Sequence, residues 1–198
     1  MAGDVCEEGL SPDTTVQGVL AMMESAWTSL HVELIMEGFC IVGRLDVPSA
    51  QGRLVDILNF SDEHVIVLHD VEARRLGPES DEVFNCPLAH IRREAIILAR
   101  PHEHSLPAAE AQPSLEYVAK DPHRVSFLMS AFTVVGNIHL VKGADINAVS
   151  PIRGLDFVPL TDAEATYRPA PSVVWKGAVI VVNAAKAEAF SPAADLSP

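Results

Sequence analysis

The sequence predicts a mainly β protein with an N-terminal helix, built as two tandem small β-barrel domains. Three observations lead there. First, Phe39-Cys40-Ile41-Val42-Gly43-Arg44-Leu45-Asp46-Val47 returns as Phe132-Thr133-Val134-Val135-Gly136-Asn137-Ile138-His139-Leu140. Strict alternation places Phe39, Ile41, Gly43, Leu45 and Val47 on one strand face, and Phe132, Val134, Gly136, Ile138 and Leu140 on the same face of a second strand. Second, flanking blocks recur in the same order. Val32-Glu33-Leu34-Ile35-Met36 matches Val125-Ser126-Phe127-Leu128-Met129, and the stretch Val65 to Ala73 matches Phe157 to Ala165. Third, each copy closes on a continuous apolar run, Ala95 to Ala99 and Ala178 to Val182. A spacing of roughly ninety residues is too long for a solenoid repeat and suits a whole small domain.

In chain order, residues 1–11 are expected to be a disordered acidic tail. Ser11-Pro12-Asp13 is a helix start, with Ser as N-cap, Pro at the first helical position and an acid in the first turn. Val16, Val19, Leu20, Met23, Trp27 and Leu30 then fall on one stripe at helical spacing, which predicts a helix from Pro12 to Leu30. Strands are expected at Val32–Met36 and Phe39–Val47, joined at Gly38, then a loop over residues 48–52 and a helical turn at Arg53–Asn59 ended by Asn59. Val65–Leu68 and Val71–Leu76 are strands separated by His69-Asp70, Gly77–Cys86 is an acidic loop, and Ile91–Arg100 is a closing strand. The first domain thus spans 12–100. Residues 101–123 form a Pro-rich linker with a helical turn within Ser114–Lys120, the second domain covers 124–185, and 186–198 is a loose tail.

Composition narrows the function classes. The chain has 198 residues, 48% of them hydrophobic, enough for two small cores. Its net charge of −13 disfavours nucleic acid and anionic membranes, whose binding rests on Lys and Arg. Residues 1–31 carry five acids and no Lys or Arg. Three cysteines, Cys6, Cys40 and Cys86, are odd in number and have no C-x-x-C spacing, which points to reduced thiols in a cytoplasm. The acidic N-terminus is not a secretory signal, and no apolar run reaches membrane-spanning length.

Five short strands preceded by a helix resemble the Sm-like barrel. Gly43, Asp56-Ile57-Leu58-Asn59 and Val67-Leu68-His69-Asp70-Val71 are similar to parts of its first sequence motif. The repeats also resemble a group of uncharacterised bacterial domains through Gly43-Arg44-Leu45-Asp46-Val47-Pro48, Arg53-Leu54-Val55-Asp56-Ile57-Leu58-Asn59 and Leu68-His69-Asp70-Val71 in the first copy. The second copy offers Gly136-Asn137-Ile138-His139 and Leu160-Thr161-Asp162-Ala163. That resemblance implies a bacterial source and assigns no activity and no functional residue.

Candidate chemistry is sparse. His102-Glu103-His104 offers two imidazoles, but a metal needs three or four converging ligands, and a solvated linker is the simpler account. Cys40 corresponds to Thr133 in the second copy, so a packed side chain fits better than a nucleophile. Asp70 and Asp162 occupy matching positions; acid–base work requires them across one cleft, whereas capping of a local turn requires nothing further. Arg74-Arg75 and Arg92-Arg93 read as a solvated face. The sequence therefore leads to no catalytic, cofactor or metal residues. It points to a non-enzymatic protein-interaction module, an adaptor or regulatory subunit, with Val16, Leu20, Met23 and Trp27 as partner-binding candidates. The partner is a protein, with a homo-oligomer as one form of it. The alternative is an Sm-like RNA-binding protein, opposed by the acidic charge.

Overall fold

The computed structural model describes residues 27–48, 53–60, 63–77, 82–102, 119–146 and 155–192. These residues form one open, ten-stranded antiparallel sheet and one short helix. The strands are β1 (Trp27–Ile35), β2 (Phe39–Pro48), β3 (Val65–Arg75), β4 (Val83–Arg92), β5 (Leu98–Pro101), β6 (Lys120–Met129), β7 (Phe132–Val141), β8 (Phe157–Tyr167), β9 (Val174–Asn183) and β10 (Ala187–Pro192). Helix α1 (Leu54–Phe60) lies between β2 and β3. Short 3-10 turns at Arg93–Ala95 and Ala184–Lys186 precede β5 and β10.

Strand order across the sheet is β10-β6-β7-β8-β9-β5-β1-β2-β3-β4. The first five strands are ordered β5-β1-β2-β3-β4 and the last five β10-β6-β7-β8-β9, the same order twice. The expected pair of closed barrels is corrected here. Neither set closes on itself, because β5 turns its second edge to β9, pairing Leu98 with Val182 and Ala99 with Val181. The two apolar runs at 95–99 and 178–182, read above as counterparts, are therefore neighbours. Their meeting ends are apolar because both faces are covered there: Leu98, Ala99, Ile180, Val181 and Val182 are all buried, whereas Ala178, farther along β9, is exposed.

Two cores result. One contains Val32, Leu34, Ile41, Leu45, Leu58 and Leu68, together with Phe157 and Val181 from beyond the junction. The other contains Phe127, Phe132, Leu160, Trp175 and Ile180, and takes in Ile35, Cys40 and Leu98. Alternation along β1 explains the sharing: Leu34 faces the first core and Ile35 the second. Helix α1 inserts Leu54 and Leu58 into the first core. Asn59 does not end this helix as a left-handed cap. Its amide brackets the backbone of Phe157 instead, donating to the carbonyl at 2.8 Å and accepting from the N–H at 2.9 Å. Arg93 donates to the Leu58 carbonyl at 3.3 Å, satisfying an end of α1.

The recurring glycines sit at matching bends. Pairing of β2 with β3 shifts between Val42 and Arg44, and pairing of β7 with β8 between Val135 and Asn137. Opposite each shift, β3 and β8 carry an extra residue in the left-handed region, Asp70 with φ 52° and Asp162 with φ 47°. His69-Asp70 is thus a bulge inside one continuous strand and not a break between two. A side chain at Gly136 would meet Leu160 Cβ at 2.8 Å and Ala163 Cβ at 3.0 Å; one at Gly43 would meet the His69 carbonyl oxygen at 3.1 Å. Backbone crossing this close is what glycine permits.

Several other expectations are corrected. Trp27 to Leu30 open β1 and are not the end of a helix; the strand is drawn out by pairing with β2 from Trp27 opposite Pro48 onward. Val83–Cys86 belong to β4 and not to a loop. Ile91 and Arg92 end β4, so the expected closing strand is two strands joined by a 3-10 turn. Pro101 lies in β5, while Lys120 to Pro122 lie in β6. Residues 187–192 pair with β6 as β10 and are not a loose tail. The remainder of the expected N-terminal helix and the helical turn at 114–118 lie outside the described residues. So do the acidic tail, most of the linker and residues 193–198.

Phe39 and Phe132 hold matching places but differ in burial. Phe132 is fully buried against Tyr167 and Trp175, at ring-centroid distances of 5.3 and 6.0 Å, whereas Phe39 is 38% exposed opposite Arg75. Phe132→Ala is expected to cost about 3–5 kcal/mol in chemical denaturation, and Phe39→Ala under ~1 kcal/mol. Gly136→Ala should destabilise by about 1–3 kcal/mol, more than Gly43→Ala, since its added methyl meets two Cβ atoms in a packed core.

Candidate functional site

Two features stand out among the described residues: a buried polar cluster at the β9–β5–β1 junction, and an exposed apolar edge at β4.

The cluster is built on Glu33. Alternation along β1 points it to the same side as Ile35, where it is 7% exposed. A buried carboxylate needs donors, and three neighbouring strands supply them. Arg100 of β5, directly opposite Glu33 in register, forms an ion pair and hydrogen bond with Oε2. The Cys40 thiol of β2 donates to Oε1 at 2.9 Å. Trp175 of β9 donates its indole N–H to the same oxygen at 3.1 Å. Arg100 also donates to the Lys176 carbonyl at 3.0 Å. The cluster thereby ties β1, β2, β5 and β9 together across the middle of the sheet.

Its electrostatics are structural in kind. Burial pushes the Glu33 carboxyl up, but the Cys40, Arg100 and Trp175 donors outweigh it and hold the group below its ordinary value. Burial and the Glu33 charge push the Cys40 thiol far up, so it stays protonated and donates. That is the opposite of an activated nucleophile.

The edge is β4. Val83, Phe84 and Leu88 are exposed large apolar residues along it. Natural edge strands are usually short or charged to prevent pairing with other chains. Here the edge runs ten residues, and Cys86 lies exposed within it. Pro87 is tolerated because an edge strand need not donate on both sides.

Other candidates come together less well. Asp70 and Asp162 lie on β3 and β8 with four strands between them, so they share no cleft. Each instead ties its own bulge to the next strand: Arg44 pairs with Asp70 at 3.3 Å and Asn137 donates to Asp162 at 3.3 Å. Ser29 and Arg44 both donate to Asp46, at 2.6 and 2.5 Å, extending that surface ladder. His102 follows β5 and donates its backbone N–H to the His31 carbonyl; Glu103 and His104 lie outside the described residues. Among the described residues no three His, Cys, Asp or Glu side chains converge as metal ligands. An open cavity of about 660 Å³ lies at the 3-10 turns, lined by His64, Arg92, Arg93, Asp156, Asn183 and Lys186 among others. Its charge is mixed, and Arg92 is paired with Glu94 at 3.0 Å. No helix among the described residues is long and apolar enough to cross a membrane.

Of the partner-binding residues expected from sequence, Val16, Leu20 and Met23 lie outside the described residues, and Trp27 opens β1. The sequence reading missed both the Glu33 cluster and the β4 edge. The first left no signal, because Glu33 alternates with Ser29 and His31, which are exposed, and so reads as one more solvent-facing residue of β1. The second was hidden because Glu79, Asp81 and Glu82 made the stretch before Cys86 look like a loop.

Because the folded-state pKa of Glu33 lies below its ordinary 4.5, its contribution is complete above that pH and is lost as pH falls below it, through the lowered folded value. Glu33→Gln is expected to cost about 3 kcal/mol at neutral pH, the low end for a broken buried pair because the Arg100 side chain keeps 21% of its surface in water. In a denaturation series, the gap between wild type and variant should narrow as pH drops below 4.5. A gap independent of pH would assign the effect to packing alone.

Comparison of the chain with protein-family models, curated proteins and solved structures finds no match.

Proposed function

We propose that this protein is a non-enzymatic protein-interaction module, an adaptor or regulatory subunit, that docks a partner along the β4 edge. In this reading the chain is a duplicated five-strand unit of Sm-like layout. The matching strand order, bulges and left-handed aspartates of the two halves support the duplication.

The observation that carries the docking role is the contrast between β4 and its counterpart. The pairings Ala73 with Phe84 and Ala165 with Trp175 place Phe84 and Trp175 at equivalent positions. Trp175 is 7% exposed and Phe84 49%. β9 is covered because β5 and β1 lie beside it; β4 ends the sheet. Phe84, Val83 and Leu88 are 49%, 45% and 44% exposed, so burying the rest against a partner recovers roughly half of the 1.5–3 kcal/mol of full burial for each, before the cost of association. A net charge of −13 favours a protein partner over nucleic acid.

A photo-reactive amino acid at Leu88 tests this in cells that make the protein. A discrete adduct is expected at Leu88 and none at exposed Lys142. Irradiation that leaves the Leu88-labelled chain unmodified overturns the reading.

A further inference from the structure

We infer that the β4 edge takes the β10 edge of a second copy of this chain, repeating between molecules the junction that β9 and β5 form within one. This rests on the docking role of β4 proposed above and names its partner.

Register supplies the template. Within the chain, Leu98 pairs with Val182 and Ala99 with Val181, and the Asn183 N–H donates to the Ile97 carbonyl at 2.9 Å. Ile66 pairs with Ile91 on the β3–β4 side as Val158 pairs with Val182 on the β8–β9 side, so Ile91 is the counterpart of Val182. Ile35 pairs with Leu98 and Leu128 with Ala189, so Ala189 is the counterpart of Leu98. The two ends of the sheet are therefore the two halves of a junction already built once in its middle. Applied between copies, the same register sets Ala189 against Ile91 and Phe190 against His90. It also sets Glu188 against Arg92.

Side chains on both edges fit that placement. Leu98 is fully buried, while Ala189 is exposed. Ile35 is fully buried and Cys40 nearly so beside Trp175 in the shared core; their counterparts Leu128 and Thr133 are only partly buried. The exposed Phe84 takes the place of Trp175 and covers them in the neighbouring copy. Charge agrees as well. Arg92 occupies the place of Asn183, Glu188 that of Ile97, and both are exposed, so an acid meets a base at the point where an amide meets a carbonyl inside the chain. Such a contact is head-to-tail: each copy offers β4 to one neighbour and β10 to another, and the assembly grows until its curvature closes it.

The test uses the full chain in sedimentation velocity over a range of concentrations. Wild type is expected to run above the 21.3 kDa of one copy, with mass rising with concentration. Arg92→Glu and Glu188→Arg should each weaken association about tenfold, and the double variant should restore it. Phe84→Glu, a change at an exposed site that leaves folding intact by circular dichroism, should weaken it about ten- to a hundredfold. A chain that stays at one copy throughout overturns the inference, as does an assembly indifferent to Glu188→Arg, which would place the contact elsewhere. The Leu88 adduct separates the two readings. A dimer of this chain supports both. An adduct with a different protein, or an intramolecular link to residues 1–26 or 103–118, overturns the second copy as occupant; the former leaves the docking role standing, and the latter removes it.

Discussion

The pairing of β5 with β9 is the contact on which the rest of the molecule depends. It is short, two residue pairs in register, yet it joins two five-stranded arrays into one sheet. Backbone hydrogen bonds alone contribute little net stability over the bonds to water they replace. The junction holds because side chains on both faces are buried with it. Phe157 and Val181 fill the first core from the far side of the junction, and Ile35, Cys40 and Leu98 fill the second. Each array lacks a complete core without the other.

Glu33 gives that junction its specificity. An apolar residue in its place would pack against many neighbours in many registers. A buried carboxylate favours the arrangement in which Arg100, Cys40 and Trp175 all reach it: Arg100 compensates its charge, and Cys40 and Trp175 satisfy its second oxygen. The corresponding residue in the second array is Ser126, and Arg100 corresponds to Ser191. The charged lock is thus present at the inner junction and absent from the same place at the outer edge. The two ends of the sheet carry Arg92 on β4 and Glu188 on β10 instead, both exposed.

The open sheet and the exposed β4 edge share one origin. Had β5 turned to β4, the first array would have closed and its edges would have vanished. By pairing outward with β9, β5 leaves β4 at the end of the sheet among the described residues, with Phe84 49% exposed. The bulges at Asp70 and Asp162 bend both arrays by the same device, one extra left-handed residue opposite a glycine. Curvature is therefore built into each array separately, and connectivity between them is decided by which edge β5 meets.

What the sequence determined by itself is local. The alternation in Phe39–Val47 and Phe132–Leu140 specified β2 and β7 and the faces they bury, because a strand's period of two is readable from one chain segment. Gly43 and Gly136 marked the bends, and Leu54, Leu58 and their spacing marked α1. Where a pattern was ambiguous, tertiary contact decided. Trp27 to Leu30 fit a helical stripe as well as a strand, and pairing with β2 made them a strand. The acidic run before Val83 disguised an edge, since a strand with one free side has no need of apolar alternation on its outward residues. The runs at 95–99 and 178–182 were readable as buried strands, but not as partners, because nothing in a one-dimensional sequence distinguishes two equivalent strands from two adjacent ones. Only the folded sheet brings Glu33 to Trp175 across 142 residues of chain, and only there does the difference between a covered β9 and an uncovered β4 exist.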